Sequence, residues 1–520
     1  MGVSEFLRNA LKRPNYLLPV AAVVFVLDVV AMVTTSPPSR VATGLGDSAV
    51  ESPTVSPGES IAPEVAASQA AAAQAATRRS TSAKSAVGST VAISDTEVAV
   101  GMTYLFDAGK ANSAAGFGSI GQVDQKRALD MMIAEVNKVK PGGRKVVPVM
   151  YRASEDDVIS KGDQFEQEVC QFYTKDNKVF MTWDTIVGTD VLHKCLTDKK
   201  VAELGVGAGS KKDYERFPYV TGMNSVAMDR MAAFYVDQLV SQGFFSSFKQ
   251  NDAGYTPSPV QTTLNIGLIR YDQPQWDDAA AVLKQRLAAH NLSLCSGCEF
   301  KIAYSPSDPA AMLDDAGEVQ AAINGCKNRT GGPCTHMLFL GTQAGGRIAI
   351  FYVDGAEKQA YRARLGLNAN DLPDAVVSFY KGQGVPDAAN PAYPQYRDGV
   401  LVSTDPARLW MDAPEFPRCK KLFQTYGETF EGSAAANKHG QIPDYCDIAW
   451  YHIAAMNIVG KSLSLQTWMN AVEHMPPVPS AATFLMQTKV GRHDGAGAIR
   501  VGKWDAGAGK FNPVTGDIPV

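Results

Sequence analysis

From residue 93 onward the apolar positions follow two rhythms in turn. Val98, Val100, Met102 and Tyr104 occupy every second position of 97–104, the period of a strand. Leu129, Met132, Ile133, Val136 and Val139 then recur at i, i+3, i+4, i+7 and i+10, the stripe of an amphipathic helix over 119–138. The exchange continues through strand 145–151, helix 157–173, strand 178–183, helix 189–197 and a short strand at 201–206. A helix over 225–242 and a polar loop over 247–260 lead into a second series. It runs strand 264–270, helix 276–289, strand 299–304, helix 308–324, strand 336–340, helix 345–361 and strand 374–379. Helices follow at 414–427, 444–460 and near 464–473, and the Gly-punctuated tail predicts a hairpin or a pair of edge strands. Alternating strands and helices predict an α/β fold with doubly wound parallel sheets and right-handed crossovers. Two such series in one chain predict two lobes that close on a ligand by a hinge.

The loop after the first strand contains Gly116-x-Gly118-x-x-Gly121, the letter pattern of a dinucleotide fingerprint. That fingerprint turns directly off its strand and has an acidic partner about 20 residues on. Here about a dozen residues separate Tyr104 from Gly116, and the later position holds Lys140-Pro141-Gly142. The glycines are read instead as permitting close backbone approach to a ligand. No cofactor or metal is expected, and a nicotinamide-dependent enzyme is the last of the readings. No G-x-S-x-G, G-x4-G-K-[ST] or H-E-x-x-H occurs, and the seven histidines are scattered. Nothing pairs a nucleophile with a base.

Composition changes the picture mainly at the amino end. The chain as a whole is ordinary, with 45% hydrophobic and 20% charged residues, and its net charge of −4 offers no basic excess for nucleic acid. Arg8, Lys12 and Arg13 precede an apolar run over 16–34, just long enough to cross a hydrocarbon core of about 30 Å. The basic flank predicts residues 1–15 in the cytoplasm and the body outside. A transmembrane anchor is the favoured reading and a cleaved signal peptide the alternative. Residues 35–92, rich in Ser, Ala, Pro and Thr, read as a disordered linker. All eight cysteines lie beyond it: Cys170, Cys195, Cys295, Cys298, Cys326, Cys334, Cys419 and Cys446. An exported chain with an even count favours disulfides. Cys170 with Cys195 and Cys419 with Cys446 are plausible pairs, whereas the partners among the other four are open. Their Cys-x2-Cys and Cys-x7-Cys grouping also raises a zinc site.

Two strand ends stand out as a small-molecule site of aromatic surfaces and few polar groups. Trp183-Asp184-Thr185 follows the third strand, and Tyr271-Asp272 opens the second lobe. An ordinary turn capped by Asp184 or Thr185 is the alternative. In the binding reading Trp183 and Tyr271 give flat contacts, and Asp184 or Asp272 meets an ammonium group.

The body from about residue 93 to 518 resembles the type I periplasmic-binding family, in its branched-chain amino acid branch as attached to ABC importers. The resemblance lies in VGMTYLFDAGKANSAAGFGSIGQVDQKRALDMMIAEVN, GGRKVVPVMY, QEVCQFYTKDNKVFMTW, RFPYVTGMN and the terminal HDGAGAIRVGKWD, and it is to actinobacterial-like members. It implies a periplasmic-binding domain over 93–520. Lobe I would take about 93–221 and 397–472, and lobe II about 222–396 and 473–520, joined by three crossovers. It implies ligand contacts at Phe106, Asp107, Ala108, Gly116 and Phe117, then at Asp184, Thr185, Ala208, Gly209 and Ser210. Lobe II would add Tyr271, Gln275 or Trp276, Thr342, Gln343 and Tyr380. One departure matters: Trp183-Asp184 stands where the family has small or hydroxyl residues. A carboxylate at 4 Å from a ligand carboxylate is repelled by about 1 kcal/mol in water and more where water is excluded.

The resemblance implies an extracytoplasmic solute-binding protein for an amino-acid-like or amide ligand. It would be tethered by the N-terminal helix, serve an ABC permease and perform no chemistry. A membrane-tethered sensor or surface module of the same fold is the alternative.

Overall fold

The computed structural model describes residues 92–520 apart from 108–122, 185–189, 206–208, 247–263, 304–310, 341–346, 360, 372, 375–376, 378–395, 397 and 431–434. The expected membrane segment at 16–34, and the linker up to 91, lie outside the described residues. Among the described residues no helix is long and apolar enough to cross a membrane.

The first series forms one parallel sheet. Strands β1 (Glu97–Leu105), β2 (Lys145–Ala153), β3 (Met181–Asp184), β4 (Ala202–Gly205) and β5 (Val220–Thr221) lie in the order β2-β1-β3-β4-β5. Helices α1 (Gln125–Val139), α2 (Glu155–Lys161), α3 (Asp163–Gln171), α4 (Asp190–Asp198) and α5 (Lys211–Arg216) connect them. Alternation along β1 sends Val98, Val100 and Met102 to one face, packed on Leu129, Met132 and Val136 of α1. Ala99 and Leu105 go to the other face, against Phe165 and Val169 of α3 and Leu192 and Leu196 of α4.

The second series repeats this topology. After α6 (Met228–Ser241) come β6 (Ile266–Tyr271), α7 (Pro274–Ala289), β7 (Leu294–Ile302), α8 (Ala311–Lys327), β8 (His336–Leu340), α9 (Arg347–Lys358), β9 (Arg364–Asn368) and β10 (Val400–Ser403). Their parallel order is β7-β6-β8-β9-β10, the same permutation as in the first sheet. Helices α10 (Phe416–Thr425), α11 (Ala435–Val459) and α12 (Leu465–Glu473) then return to the first core. The tail adds β11 (Ala498–Asp505) antiparallel to β10, with β12 (Lys510–Pro513) antiparallel to β11 and β13 (Ile518–Pro519) also on β11.

Three expectations need correction. The helix expected over 157–173 is two helices, because Gly162 has φ +49°, where only glycine is at ease. The strand expected over 374–379 is not found among its described residues: Asp374 and Val377 are helical, as is Pro373 before them, and the fourth strand is β9, ten residues earlier. The boundary expected near 397 also moves. β10 pairs with β9, and Val400, Leu401, Val402 and Leu409 belong to the second core, so the chain crosses back only after Ser403.

Three stretches join the lobes: 222–227, 404–415 and 474–497. Asp494 ties the first to the third by accepting from Ala227 N (2.8 Å) and Arg230 Nε (2.6 Å). Asp447 of α11 holds the third by accepting from Ser480 Oγ (2.5 Å), Ala481 N (2.6 Å) and Ala482 N (3.2 Å). All eight cysteines are paired, as Cys170–Cys195, Cys295–Cys298, Cys326–Cys334 and Cys419–Cys446.

Candidate interlobe binding site

In open parallel sheets the binding crevice lies beyond the carboxyl ends of the strands, where the strand order reverses. Here the reversals fall between β1 and β3 and between β6 and β8. Ala108, Gly116 and Phe117 follow β1, Thr185 follows β3, and Thr342 and Gln343 follow β8. All six, with Ala208 and Tyr380, lie outside the described residues.

Gly209, Ser210 and Gln275 are brought together. Gly209 lies so close to the other lobe that a Cβ built on it would stand 3.3 Å from Gln275 Cβ. Its carbonyl accepts from Met228 N at the start of α6 (2.9 Å). Ser210 is spent on α5, where its backbone N and Oγ both donate to Asp213 Oδ2 (2.8 and 2.9 Å). Gln275 Nε2 donates to Gln273 Oε1 (3.1 Å), and both side chains are buried. Lys212 of α5 pairs with Asp278 of α7 across the same seam.

Phe106 and Asp107 continue β1 at its carboxyl end. The Phe106 ring is 49% exposed, with the Arg152 guanidinium 3.6 Å from its centroid. It is the exposed flat surface of this lip. Asp107 Oδ1 accepts from Glu155 N (2.9 Å), which satisfies a free amide at the start of α2.

Among the described residues the three other aromatic candidates sit in the cores. Trp183 is 1% exposed, and its Nε1 donates to Nδ1 of His452 on α11 (3.3 Å). That bond requires a neutral His452 bare at Nδ1, and burial pushes its pKa down to about 3. Strand parity is the reason: Trp183 packs with the core of α11 and α12, and Asp184 points the other way, within electrostatic reach of His193 on α4. Tyr271 and Trp276 are likewise buried in the second core.

Asp184 is buried in a polar pocket of the first lobe. His193 Nδ1 lies 2.9 Å from the Glu203 carboxylate. Burial opposes charge on this imidazole, but Glu203 beside it, with Glu166 and Asp184 adding, lifts its pKa to about 9. An imidazolium is therefore present at neutral pH within electrostatic reach of Glu203, Glu166 and Asp184.

A cluster near the hinge has no counterpart among the sequence expectations. Arg408 Nη1 meets both oxygens of Asp374 (2.9 and 3.0 Å), and its Nε meets Asp405 Oδ2 (3.1 Å). Asp444 of α11, in the other lobe, acts electrostatically on both Arg408 and Asp405 and accepts from Asn224 Nδ2 (2.7 Å). Burial raises the pKa of Asp444 to about 6 against the Asn224 hydrogen bond. These side chains come from both lobes and from the 222–227 stretch, yet Arg408, Asp374 and Asp405 remain 18%, 20% and 25% exposed. Among the described residues three carboxylates face one guanidinium here, and burial pushes the carboxyls of Asp405 and Asp444 up. The available sequence signal was Asp405-Pro406-x-Arg408 after an apolar run, a capped turn with Pro at its first position.

No family model matches the chain, and no curated protein matches it. Solved structures match it in shape. A possible leucine/isoleucine/valine-binding protein from Rhodopirellula baltica aligns with TM-score 0.51 at 11% identity, over 82% of this chain and 98% of that one. A solute-binding protein of an ABC transporter from Rhodopseudomonas palustris, in complex with 4-hydroxybenzoate, gives 0.52 at 15%, over 81% and 96%. Another from that species, in complex with 3,4-dihydroxybenzoic acid, gives 0.50 at 14%, over 82% and 98%. With these the chain shares its architecture, the type I periplasmic-binding fold of two α/β lobes with matched parallel sheets.

Proposed function

We propose that this chain is an extracytoplasmic solute-binding protein, without chemistry of its own, that delivers its ligand to an ABC importer. The observation that carries the reading is the meeting of two matched sheets at their carboxyl edges, with Gly209 against Gln275. The neighbours of this fold are solute-binding proteins of transporters, which supports the same role here. Segment 16–34 would tether the body to the membrane.

The ligand we favour is small and amino-acid-like, with a cationic group at the hinge end. Asp374, Asp405 and Asp444 attract that group, and Arg152 beside the Phe106 ring suits a carboxylate or a planar group at the outer lip. Asp184, Gly209, Ser210, Gln275 and the loops carrying Ala108, Gly116, Phe117, Thr185, Ala208, Thr342, Gln343 and Tyr380 would complete the enclosure.

A thermal-shift screen of amino acids, amides, polyamines and hydroxybenzoates tests this. A ligand at about 100 times its Kd adds about 2.7 kcal/mol. Asp444→Asn, which keeps an acceptor for Asn224, should diminish the shift for a cationic ligand. A response to hydroxybenzoates alone refutes the cationic assignment, and silence across all four classes refutes solute binding of this kind.

A further inference from the structure

At the pole of the second lobe away from the crevice, two disulfides touch. Cys295 and Cys298 lie in β7, joined through a turn in which Gly297 has φ +72°. Cys326 ends α8, and Cys334 lies two residues before β8. Cys334 Sγ is 3.8 Å from Cys298 Sγ and 3.9 Å from Cys295 Sγ, contact distance between sulfurs of different bonds. Cys326, Cys334 and Cys298 are 0%, 2% and 1% exposed, whereas Cys295 is only partly buried. A thiol reagent from solution therefore reaches the Cys295–Cys298 bond at Cys295 and has no direct access to Cys326–Cys334. Arg329 reaches over the same turn, its Nε 3.5 Å from the Ser296 carbonyl, and a guanidinium there favours thiolate over thiol.

We propose that the two disulfides form one thiol–disulfide exchange site, with Cys295 as the entry point and a dithiol reductant as co-reactant. A reductant thiolate attacks Cys295 Sγ, the Cys295–Cys298 bond breaks, and Cys298 leaves as a thiolate. Cys298 attacks the adjacent Cys334 Sγ, the Cys326–Cys334 bond breaks, and Cys326 leaves and takes a proton. The second thiol of the reductant attacks its own sulfur in the mixed disulfide and releases Cys295 as a thiol. One dithiol is oxidised to a disulfide, two protein thiols appear at Cys295 and Cys326, and the bond that remains is Cys298–Cys334. The exchange moves the constraint from the end of α8 to a link between β7 and the approach to β8. It makes the second lobe responsive to the thiol poise outside the crevice.

The test uses the full chain and peptide mapping after alkylation without reduction. Cys295→Ser is expected to carry a Cys298–Cys334 cross-link with Cys326 alkylated. A retained Cys326–Cys334 bond with Cys298 alkylated overturns the proposal. A second measurement, on Cys295→Ala/Cys298→Ala, follows loss of Cys326–Cys334 in excess dithiothreitol, with Cys170–Cys195 as the internal reference. That loss is expected to be at least about tenfold slower than in the unaltered chain, and an unchanged rate overturns the relay. Wild-type protein quenched after one equivalent of dithiothreitol covers the case of a variant that does not fold. Label on Cys295 with Cys326 supports the exchange, and label on Cys295 with Cys298 refutes it.

Discussion

Stability should fall as pH rises through 9, and His193 should be the reason. The imidazole is buried against Glu203, and its pKa rises from 6.5 to about 9. At about 1.4 kcal/mol per unit, the protonated pair contributes about 3 kcal/mol in the folded state. The folded pKa exceeds the unfolded one, so this contribution is complete below pH 6.5 and is lost as pH climbs through 9. Between pH 7.5 and 9.5 the loss amounts to about 2 kcal/mol. Asp444 and Asp447, raised by burial to about 6 and about 7, act lower down. They become charged in the fold at a cost as pH rises from the ordinary carboxylate range to 7, and they are flat above it. The part of the decline above pH 7.5 that belongs to His193 is the part its replacement removes. Urea unfolding at half-unit steps, in the unaltered chain and in His193→Gln, measures the slope directly. The variant should be less stable at pH 7 and should lose the decline. A flat profile in the unaltered chain, or the same decline in His193→Gln, refutes the charged pair.

Trp183→Phe removes the donor to His452 and leaves a buried acceptor unmet, a loss of about 1–3 kcal/mol by chemical denaturation. Because the indole lies in the core, ligand affinity should change less than tenfold in a titration of the folded variant. Gly209→Val places branched carbons against Gln275, so small-angle scattering should show a larger radius of gyration and ligand titration a weaker affinity. Asp447→Asn turns one accepting oxygen into a donor facing the amide of Ala481 or Ala482, or Ser480 Oγ. It also removes the buried charge, so the variant should lose the fall in stability between the ordinary carboxylate range and pH 7 that ionising Asp447 imposes, read by urea unfolding at half-unit steps.

The parts of the fold that were legible in the sequence are those whose signals are local. The alternation through Met102 and the stripe from Leu129 to Val136 identify β1 and α1 because each shows one face to a core. The stretch Ala-Val-Val-Ser-Phe-Tyr at 375–380 misled for the opposite reason. Its β-branched and aromatic residues suggest a strand, but Pro373 and Asp374 just before it are helical, and proline's fixed φ suits a helix start. The true fifth strand of the second lobe, Val400–Ser403, is four buried residues with no alternation to read. Trp183 and Asp184 show a further limit. Period two says that they face opposite ways, but not which of them meets the helices of the core.

The binding chemistry was the least legible part, because it is assembled from distant segments. Asn224 and Asp444 are 220 residues apart, and Arg408 reaches its partners from a strand end that the pattern did not reveal. The sequence puts a carboxylate at Asp184, where it would repel a ligand carboxylate. The His193 imidazolium lies in electrostatic reach of that carboxylate, within the same lobe, and is shared with Glu203 and Glu166. At the hinge, among the described residues, Asp374, Asp405 and Asp444 share the one guanidinium of Arg408. The cationic ligand proposed above would be held by Asp374 and Asp405 from one side and Asp444 from the other, so its attraction would grow as the lobes approach. The same charges that select the ligand would then favour the closed state, which is the coupling a capture-and-deliver protein requires.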